Sequence, residues 1–343
     1  MLAIIVSTLL QSPLQANSCM LRRISLPLNL LIALGLTFSF AQAQALTGTQ
    51  LSLIKLMNTS PVTVDLRSVG DVIIQLRRKV TDNPHDGNLR LRLGTYLYLA
   101  GDLQGAASEM KRAVAINPED YLAHIMLARV LDLSMDEASA ELEFKRAMTI
   151  NADVAEAHYY FAESLFRRGE ISEAVNEYRL AARLKPSDQF LAGLSQALLA
   201  ARDIHGAIKA GRQAVSADPS SSIAHAALTK ALLVAGDYHC ALRTARQATL
   251  LDPTSSEAHM ALGRALYASK DVPAAVEEFR QAVQLDPLNA QARNDLGFAL
   301  YGKGDISASV VELRLALRLN PHLAEARNNL EIALNGLTGL KHK

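Results

Sequence analysis

Four histidines occupy one position of a recurring sequence pattern, and they are the residues best able to do chemistry. They are His124, His158, His225 and His259. A zinc site needs several imidazole or thiolate ligands within about 2 Å of one point. Equivalent side chains on stacked helices instead point in parallel and stand about 8–10 Å apart. We therefore expect these histidines to pack as flat groups between helices, with metal binding as the alternative.

The other reactive side chain is Cys240, which with Cys19 completes the cysteine count of two. Two cysteines provide no disulfide framework. We expect Cys240 to be a small helix residue beside Ala241, and an intermolecular disulfide in an oxidising compartment is the alternative. The chain contains no G-x-S-x-G, P-loop, H-E-x-x-H or paired-cysteine motif. The sequence thus predicts a protein that is not an enzyme and that uses no cofactor and no metal.

The overall composition excludes several other classes of protein. Half of the 343 residues are hydrophobic, which is too many for a disordered chain. The net charge of +1 gives no electrostatic reason to expect nucleic-acid binding. Only 5% of residues are aromatic and tryptophan is absent, which favours close helix-on-helix packing through small side chains.

The N-terminal segment has the layout of a secretory signal peptide. From Met20, a start that contains Arg22 and Arg23 leads into an uncharged apolar stretch from Leu26 to Phe40. Two overlapping A-x-A sites follow, ending at Ala43 and Ala45. We therefore predict that residues 1–45 form an export signal, that translation starts at Met20, and that the mature chain is periplasmic or attached to the cell envelope.

Three alternatives to a cleaved signal remain. Residues 24–45 are just long enough to cross about 30 Å of hydrocarbon as an uncleaved anchor, the only membrane contact that we expect. The stretch before Cys19 weakly resembles a lipoprotein acylation site, and Arg22-Arg23 could mark a twin-arginine signal.

The rest of the chain is governed by an internal repeat with a step of about 34 residues. Prolines mark it at Pro84, Pro118, Pro186, Pro219, Pro253, Pro287 and Pro321. Their spacings are 34, 68, 33, 34, 34 and 34 residues. A proline in this setting ends one helix and can stand at the start of the next.

Small residues recur in phase with the prolines. Within each unit, a Gly-Asp or similar pair predicts a break between two helices, as at Gly101-Asp102 and Gly304-Asp305. One alanine position recurs without exception in the second helix, at Ala113, Ala147, Ala181, Ala214, Ala248, Ala282 and Ala316. Two helices can approach to the short end of the 8–10 Å range only where side chains are small. Since one helix pair cannot bury its own apolar face, each unit must stack on the next.

This spacing resembles the tetratricopeptide repeat, whose pattern includes a large residue, L-G, A, F, A and P. Leu262, Gly263, Ala275, Phe279 and Ala282 match that pattern. Seven units are recognised, at roughly 87–120, 121–154, 155–187, 188–221, 222–255, 256–289 and 290–323. The resemblance implies an all-α fold, namely an α-solenoid that forms a right-handed superhelix of helix-turn-helix repeats with a C-terminal capping helix.

Four segments follow from this alignment. We predict a signal or anchor over 1–45, a lead-in and N-terminal capping helix over 46–84, seven repeats over 85–323, and a C-terminal capping helix and tail over 324–343. In the fourth unit, which is one residue short, Gly211 replaces a bulky residue, so we expect looser packing there.

In proteins of this family, the first helices of successive repeats line a concave groove. The resemblance implies that their second, fifth, ninth and twelfth positions project into it. The best candidates for a partner-binding groove are Asn88, Leu91, Thr95, Tyr98, Ile125, Arg129, Asp132, Tyr159, Glu163, Phe166, Met260, Arg264, Tyr267, Asn294, Phe298 and Tyr301. Units four and five contribute mainly Ala192, Gln196, Leu199, Ala226, Lys230 and Leu233. Aromatic and arginine side chains on rigid helices are typical of binding hot spots.

The sequence therefore favours a non-enzymatic scaffold of the cell envelope that binds a protein or peptide in this groove. The alternative is a structural or assembly subunit of a larger envelope complex for secretion, pilus formation, polysaccharide export or outer-membrane assembly. Such a subunit would use its convex face or its ends.

Overall fold

The computed structural model describes residues 66–341, with side chains placed for residues 69–336. The predicted signal over 1–45 and the lead-in up to residue 65 lie outside the described residues. Sixteen α-helices and no strands occur in the described part. The helices are α1 Leu66–Asp82, α2 Gly87–Leu99, α3 Leu103–Ile116, α4 Tyr121–Leu133, α5 Glu137–Ile150, α6 Ala155–Arg167, α7 Ile171–Leu184, α8 Asp188–Ala200, α9 Ile204–Ala217, α10 Ser222–Val234, α11 Tyr238–Leu251, α12 Ser256–Ala268, α13 Val272–Leu285, α14 Ala290–Lys303, α15 Ile306–Leu319 and α16 Ala324–Lys341.

The fold is the predicted all-α repeat array. Helices α2 to α15 form seven antiparallel pairs, one pair for each unit, and each pair packs on the next along the chain. Helix α1 packs against α2 at one end, and α16 packs against α14 and α15 at the other. No helix in residues 66–341 is both long enough and apolar enough to cross a membrane.

The turn within each unit is made by one residue in the left-handed region. In units one, three, five and seven that residue is glycine, as at Gly101 with φ of 83°. In units two, four and six it is Met135, Arg202 and Lys270, with φ between 62° and 69°. An aspartate then caps most of the second helices, as where Asp102 accepts a 2.8 Å hydrogen bond from the Gly105 N–H. The turn geometry explains the recurring Gly-Asp pairs.

The two helices of a unit fit by complementary size. A Cβ on Gly263 would lie 2.7 Å from a ring carbon of Phe279, and one on Gly297 would lie 2.6 Å from Cγ of Leu313. Each glycine thus leaves the space that the large residue of the second helix fills. This contact explains the L-G position of the repeat.

The predicted loosening in unit four is wrong. A Cβ on Gly211 would lie 3.0 Å from Cα of Leu228, because the second helix of unit four packs directly on the first helix of unit five. The missing bulky side chain is replaced by closer approach of the backbone. The first helices α8, α10 and α12 are also closer to one another than those of other units. They meet through small residues, including Ala192, Ala226 and Ala261.

Candidate partner-binding groove

Three of the four repeated histidines form hydrogen-bonded bridges within their units, and His225 contacts only the carbonyl oxygen of Pro219, at 3.2 Å. In three units Nδ1 faces a glutamate of the second helix, at 2.5 Å for His124 and Glu143 and 2.7 Å for His259 and Glu278. Nε2 of His124 also lies 2.9 Å from the carbonyl oxygen of Pro118. The position therefore ties the start of the first helix to the middle of the second.

Arginine makes the same bridge where it replaces histidine. In unit one, Arg90 donates to Glu109 at 2.7 Å and to the carbonyl oxygen of Pro84. The guanidinium nitrogens of Arg90 and the two ring nitrogens of histidine thus face the same two acceptors, a glutamate and a proline carbonyl. The expected role of the histidines as simple packing groups was incomplete, because their contacts are polar. Within the described residues, no three His, Cys, Asp or Glu side chains come together in a way that could hold a metal ion.

Removing one acceptor should expose the stabilising role of this bridge. We expect Glu143→Ala to destabilise the array by about 1–3 kcal/mol, because it leaves a buried imidazole N–H of His124 without its acceptor. Chemical denaturation followed by circular dichroism measures the change. The control is Glu137→Ala on the same helix, which removes an exposed carboxylate and should change stability by less than about 0.5 kcal/mol. Equal effects of the two substitutions would show that the bridge contributes nothing.

The fifth position of the first helices, predicted to line the groove, is buried in every unit. Its residues are Leu91, Ile125, Tyr159, Ala192, Ala226, Met260 and Asn294. They lie where neighbouring first helices meet. Thr95 and Asp132 are buried as well. These side chains therefore support the floor of the groove and expose little surface to a partner.

The accessible groove is formed by the other predicted positions. Asn88 and Phe298 are exposed, and the remaining members are partly exposed. Those members are Tyr98, Arg129, Glu163, Phe166, Arg264, Tyr267 and Tyr301. Tyr267 and Phe298 pack together with ring centroids 5.0 Å apart, so they form one aromatic surface across two units.

Three adjoining pockets lie along this face. The first, which we call the unit-three pocket, has a volume of about 310 Å³. It is lined by Tyr98, Arg129, Asp132, Leu133, Tyr160, Glu163, Phe166, Arg167, Tyr178 and Gln196. A second pocket shares Glu163 and Gln196 with it, and a third shares Lys230 and Glu257 with the second. The shared residues make the three pockets one continuous groove from unit one to the C-terminal cap.

Several lining residues were missed by the sequence analysis. Tyr178 belongs to a second helix, yet it reaches the groove beside Gly193, whose Cβ would lie 2.6 Å from its ring. Gly193 is the sequence feature that could have indicated it, because a glycine in a first helix leaves room for a large side chain from a second helix. The second position was mapped only at Asn88, although Ile223 and Gln291 at that position also line pockets.

The charged side chains of the unit-three pocket are compensated within the pocket. Asp132 pairs with Arg167 and accepts a 2.7 Å hydrogen bond from the Ser164 hydroxyl. The Arg129 guanidinium lies 4.0 Å from the centre of the Tyr160 ring. Two cations thus balance two carboxylates, Asp132 and Glu163, among the lining residues.

Glu163 lies at the junction of two of the pockets. Burial raises the pKa of its carboxyl, and the nearby Arg129 and Arg167 only partly oppose that shift. The Tyr159 hydroxyl donates a 2.7 Å hydrogen bond to it. Burial likewise raises the pKa of Tyr159 and Tyr178, so both remain neutral donors near neutral pH.

The C-terminal part of the groove is more polar. Lys230 pairs with Glu257, and Arg264 donates to Asp295 at 2.6 Å. Burial alone would raise the pKa of Glu257, but the Lys230 ammonium lowers it below its usual value. These pairs join side chains of neighbouring units, so they also fix the spacing of the first helices.

Comparison with known families identifies the repeat. The family model described as tetratricopeptide repeat matches residues 73–121, 159–222, 226–290 and 271–324, which is more than half of the chain. No curated protein matches this chain.

Solved structures support the fold. The chain is similar to the APC/C hetero-tetramer Cut9-Hcn1 with a TM-score of 0.59 and 18% identity, covering 78% of this chain and 52% of that chain. Yeast Tom70 gives a TM-score of 0.59 and 16% identity, covering 80% of this chain and 60% of that chain. A tetratricopeptide repeat protein from Parabacteroides merdae gives a TM-score of 0.60 and 12% identity, covering 73% of this chain and 99% of that chain. The chain thus spans about half to three fifths of the first two proteins, and these likenesses concern the fold alone.

Proposed function

Because this chain belongs to the tetratricopeptide repeat family, we propose that it is a non-enzymatic scaffold of the cell envelope that binds a peptide or partner protein in the groove of its first helices. The family's fold is one used for protein–protein interaction. The observation that carries the groove proposal is the continuous run of three pockets along one face. Aromatic side chains held on helices give such a face large contact area at low entropic cost.

The groove is tested by removing its accessible aromatic side chains. We expect the triple substitution Phe166→Ala, Tyr267→Ala and Phe298→Ala to lower recovery of the native partner at least about tenfold in a quantitative pull-down, because each lost hot spot costs more than about 1 kcal/mol. Tyr159 is left unchanged because it is buried and its removal would also disturb folding.

A matched control removes exposed apolar residues from second helices. The substitutions Leu142→Ala, Leu250→Ala and Val311→Ala alter side chains that are 50%, 73% and 55% exposed. The groove proposal expects unchanged partner recovery in this variant. If the control variant loses the partner and the groove variant keeps it, the partner binds the face formed by the second helices.

That outcome would favour a structural or assembly subunit of a larger envelope complex. The exposure of Leu250 and of Leu288, which is 76% exposed, is the observation that supports this second candidate. Exposed large apolar side chains outside the groove are suited to a permanent contact with another subunit.

The envelope location is supported by the segment from Met20 to Ala45, with its basic start and two A-x-A sites. We expect N-terminal sequencing of the mature protein to begin after Ala43 or Ala45, and fractionation to place it outside the cytoplasm. Replacing Arg22 and Arg23 with glutamate should retain the precursor. Cytoplasmic protein that keeps Met20 would contradict this part of the proposal.

A further inference from the structure

We propose that the unit-three pocket receives one uncharged aromatic side chain of the bound partner. This inference rests on the proposed function of the groove and concerns the kind of residue that the partner must present there. It follows from the shape, the walls and the charges of the pocket.

At this pocket, unit three carries bulky residues where units four to six carry small ones. Tyr159 and Tyr160 occupy the fifth and sixth positions of α6, whereas α8 has Ala192 and Gly193 there. The first helices of units two to four are accordingly farther apart than those of units four to six. The pocket there has a volume of about 310 Å³. A pocket of this size can accommodate a side chain.

The walls of the pocket favour an aromatic guest. Tyr98 and Phe166 present ring surface, the largely buried ring of Tyr178 contributes to the lining, and Leu133, which is 41% exposed, lies at the rim. Aromatic pairs contribute beyond the area that they bury when rings meet edge to face or offset. The guanidinium of Arg167 at the rim can also lie over the face of a ring.

The charges of the pocket disfavour a charged guest. Asp132 is already held by Arg167 and Ser164, and Glu163 accepts from Tyr159. A lysine or an aspartate of the partner would have to share a group that is already paired, and it would lose its own hydration on entering the pocket. An uncharged ring displaces only water and leaves every pair intact. Because burial raises the pKa of Glu163, this carboxyl becomes protonated at a higher pH than an exposed glutamate does.

The proposal is tested with small probes on the full mature chain. Two aromatic probes, N-acetyl-tyrosinamide and N-acetyl-phenylalaninamide, are titrated by ligand-observed NMR. Two charged probes are titrated in the same way: N-acetyl-lysinamide and the α-amide of N-acetyl-aspartate, whose side-chain carboxylate is free. We expect the aromatic probes to bind at least about fivefold more tightly than either charged probe. Charged probes that bind as tightly as the aromatic ones would overturn the proposal.

Blocking variants locate the binding. Leu133→Trp places an indole at the rim, and Gln196→Trp does so from the opposite side in case the first variant folds poorly. Both should abolish binding of the aromatic probes. The control Leu142→Trp changes a leucine that is similarly exposed but lies outside the pocket, and it should leave binding unchanged. Aromatic binding that survives both blocking variants would also overturn the proposal.

Failure of this inference can be separated from failure of the proposed function. If the probes show no aromatic preference while the triple groove variant still loses its partner, the groove binds the partner and only the selectivity is wrong. If the groove variant keeps its partner, the proposed function itself fails.

Discussion

Ala174→Glu is expected to destabilise the centre of the array by about 3–5 kcal/mol. Ala174 is completely buried on the second helix of unit three, where only a small side chain fits between neighbouring helices. A glutamate there either buries an unpaired charge or forces the helices apart, and both are costly. Denaturant titration should show the loss, and amide exchange should become fastest in α6 and α7, because stability in a repeat array is carried by contacts between neighbours.

The control places the same charge two residues earlier. Ser172 is exposed in the first turn of α7, where a carboxylate is favourable to the helix dipole. Ser172→Glu should change stability by less than about 0.5 kcal/mol. Melting of Ala174→Glu that matches both the control and the wild type would contradict the assignment of this position as a close helix contact.

Phe279→Ala is expected to cost about 3–5 kcal/mol, and Gly263→Ala about 1–3 kcal/mol. The first change leaves a cavity, since Phe279 is only 2% exposed. The second places a methyl group 2.7 Å from the phenylalanine ring, which must then move. In the Phe279→Ala background, however, Gly263→Ala should be neutral or stabilising because the ring is gone. Denaturation of the two single variants and the double variant measures this coupling.

Gly70 provides a control for the expected loss of stability in Gly263→Ala. A Cβ on Gly70 has no atom within 4 Å, and the residue lies in the interior of α1. Gly70→Ala should therefore stabilise the protein by about 0.5–1 kcal/mol through helix propensity alone. If Gly70→Ala and Gly263→Ala both stabilised the protein, Gly263 would not be in tight contact with the Phe279 ring. Additive effects at Gly263 and Phe279 would lead to the same conclusion.

The groove, like the core, depends on the sizes of the side chains where helices meet. Where the sixth position is small, as at Gly193 and Ala227, the first helices of units four to six lie close together and the pocket along them is smaller, at about 180 Å³. Around Tyr160, the first helices of units two to four lie farther apart, and the unit-three pocket of about 310 Å³ is found there. Both the stability of the array and the place where it can receive a side chain thus follow from the residues at one helix interface.

The sequence alone determined the architecture. The 34-residue step, the prolines and the recurrent alanines predicted paired helices, and the structure confirms an all-α repeat array. This was possible because helix pairing within a unit depends on residues close in sequence, such as Gly263 and Phe279. The same contact recurs between Gly94 and Met110 and between Gly297 and Leu313, so the periodicity records it directly.

Only the tertiary structure decided what the groove exposes. Leu91 and Ile125 were predicted to line it but are buried and line none of the three pockets, while Tyr178 was not predicted and lines two of them. Likewise, three of the four histidines pair with glutamates 19 residues away on the second helix of their unit, a contact that the sequence analysis did not predict. Exposure at a given repeat position depends on how closely the neighbouring units approach. That distance is set jointly by side chains from two or three units, and a pattern read one unit at a time does not contain it.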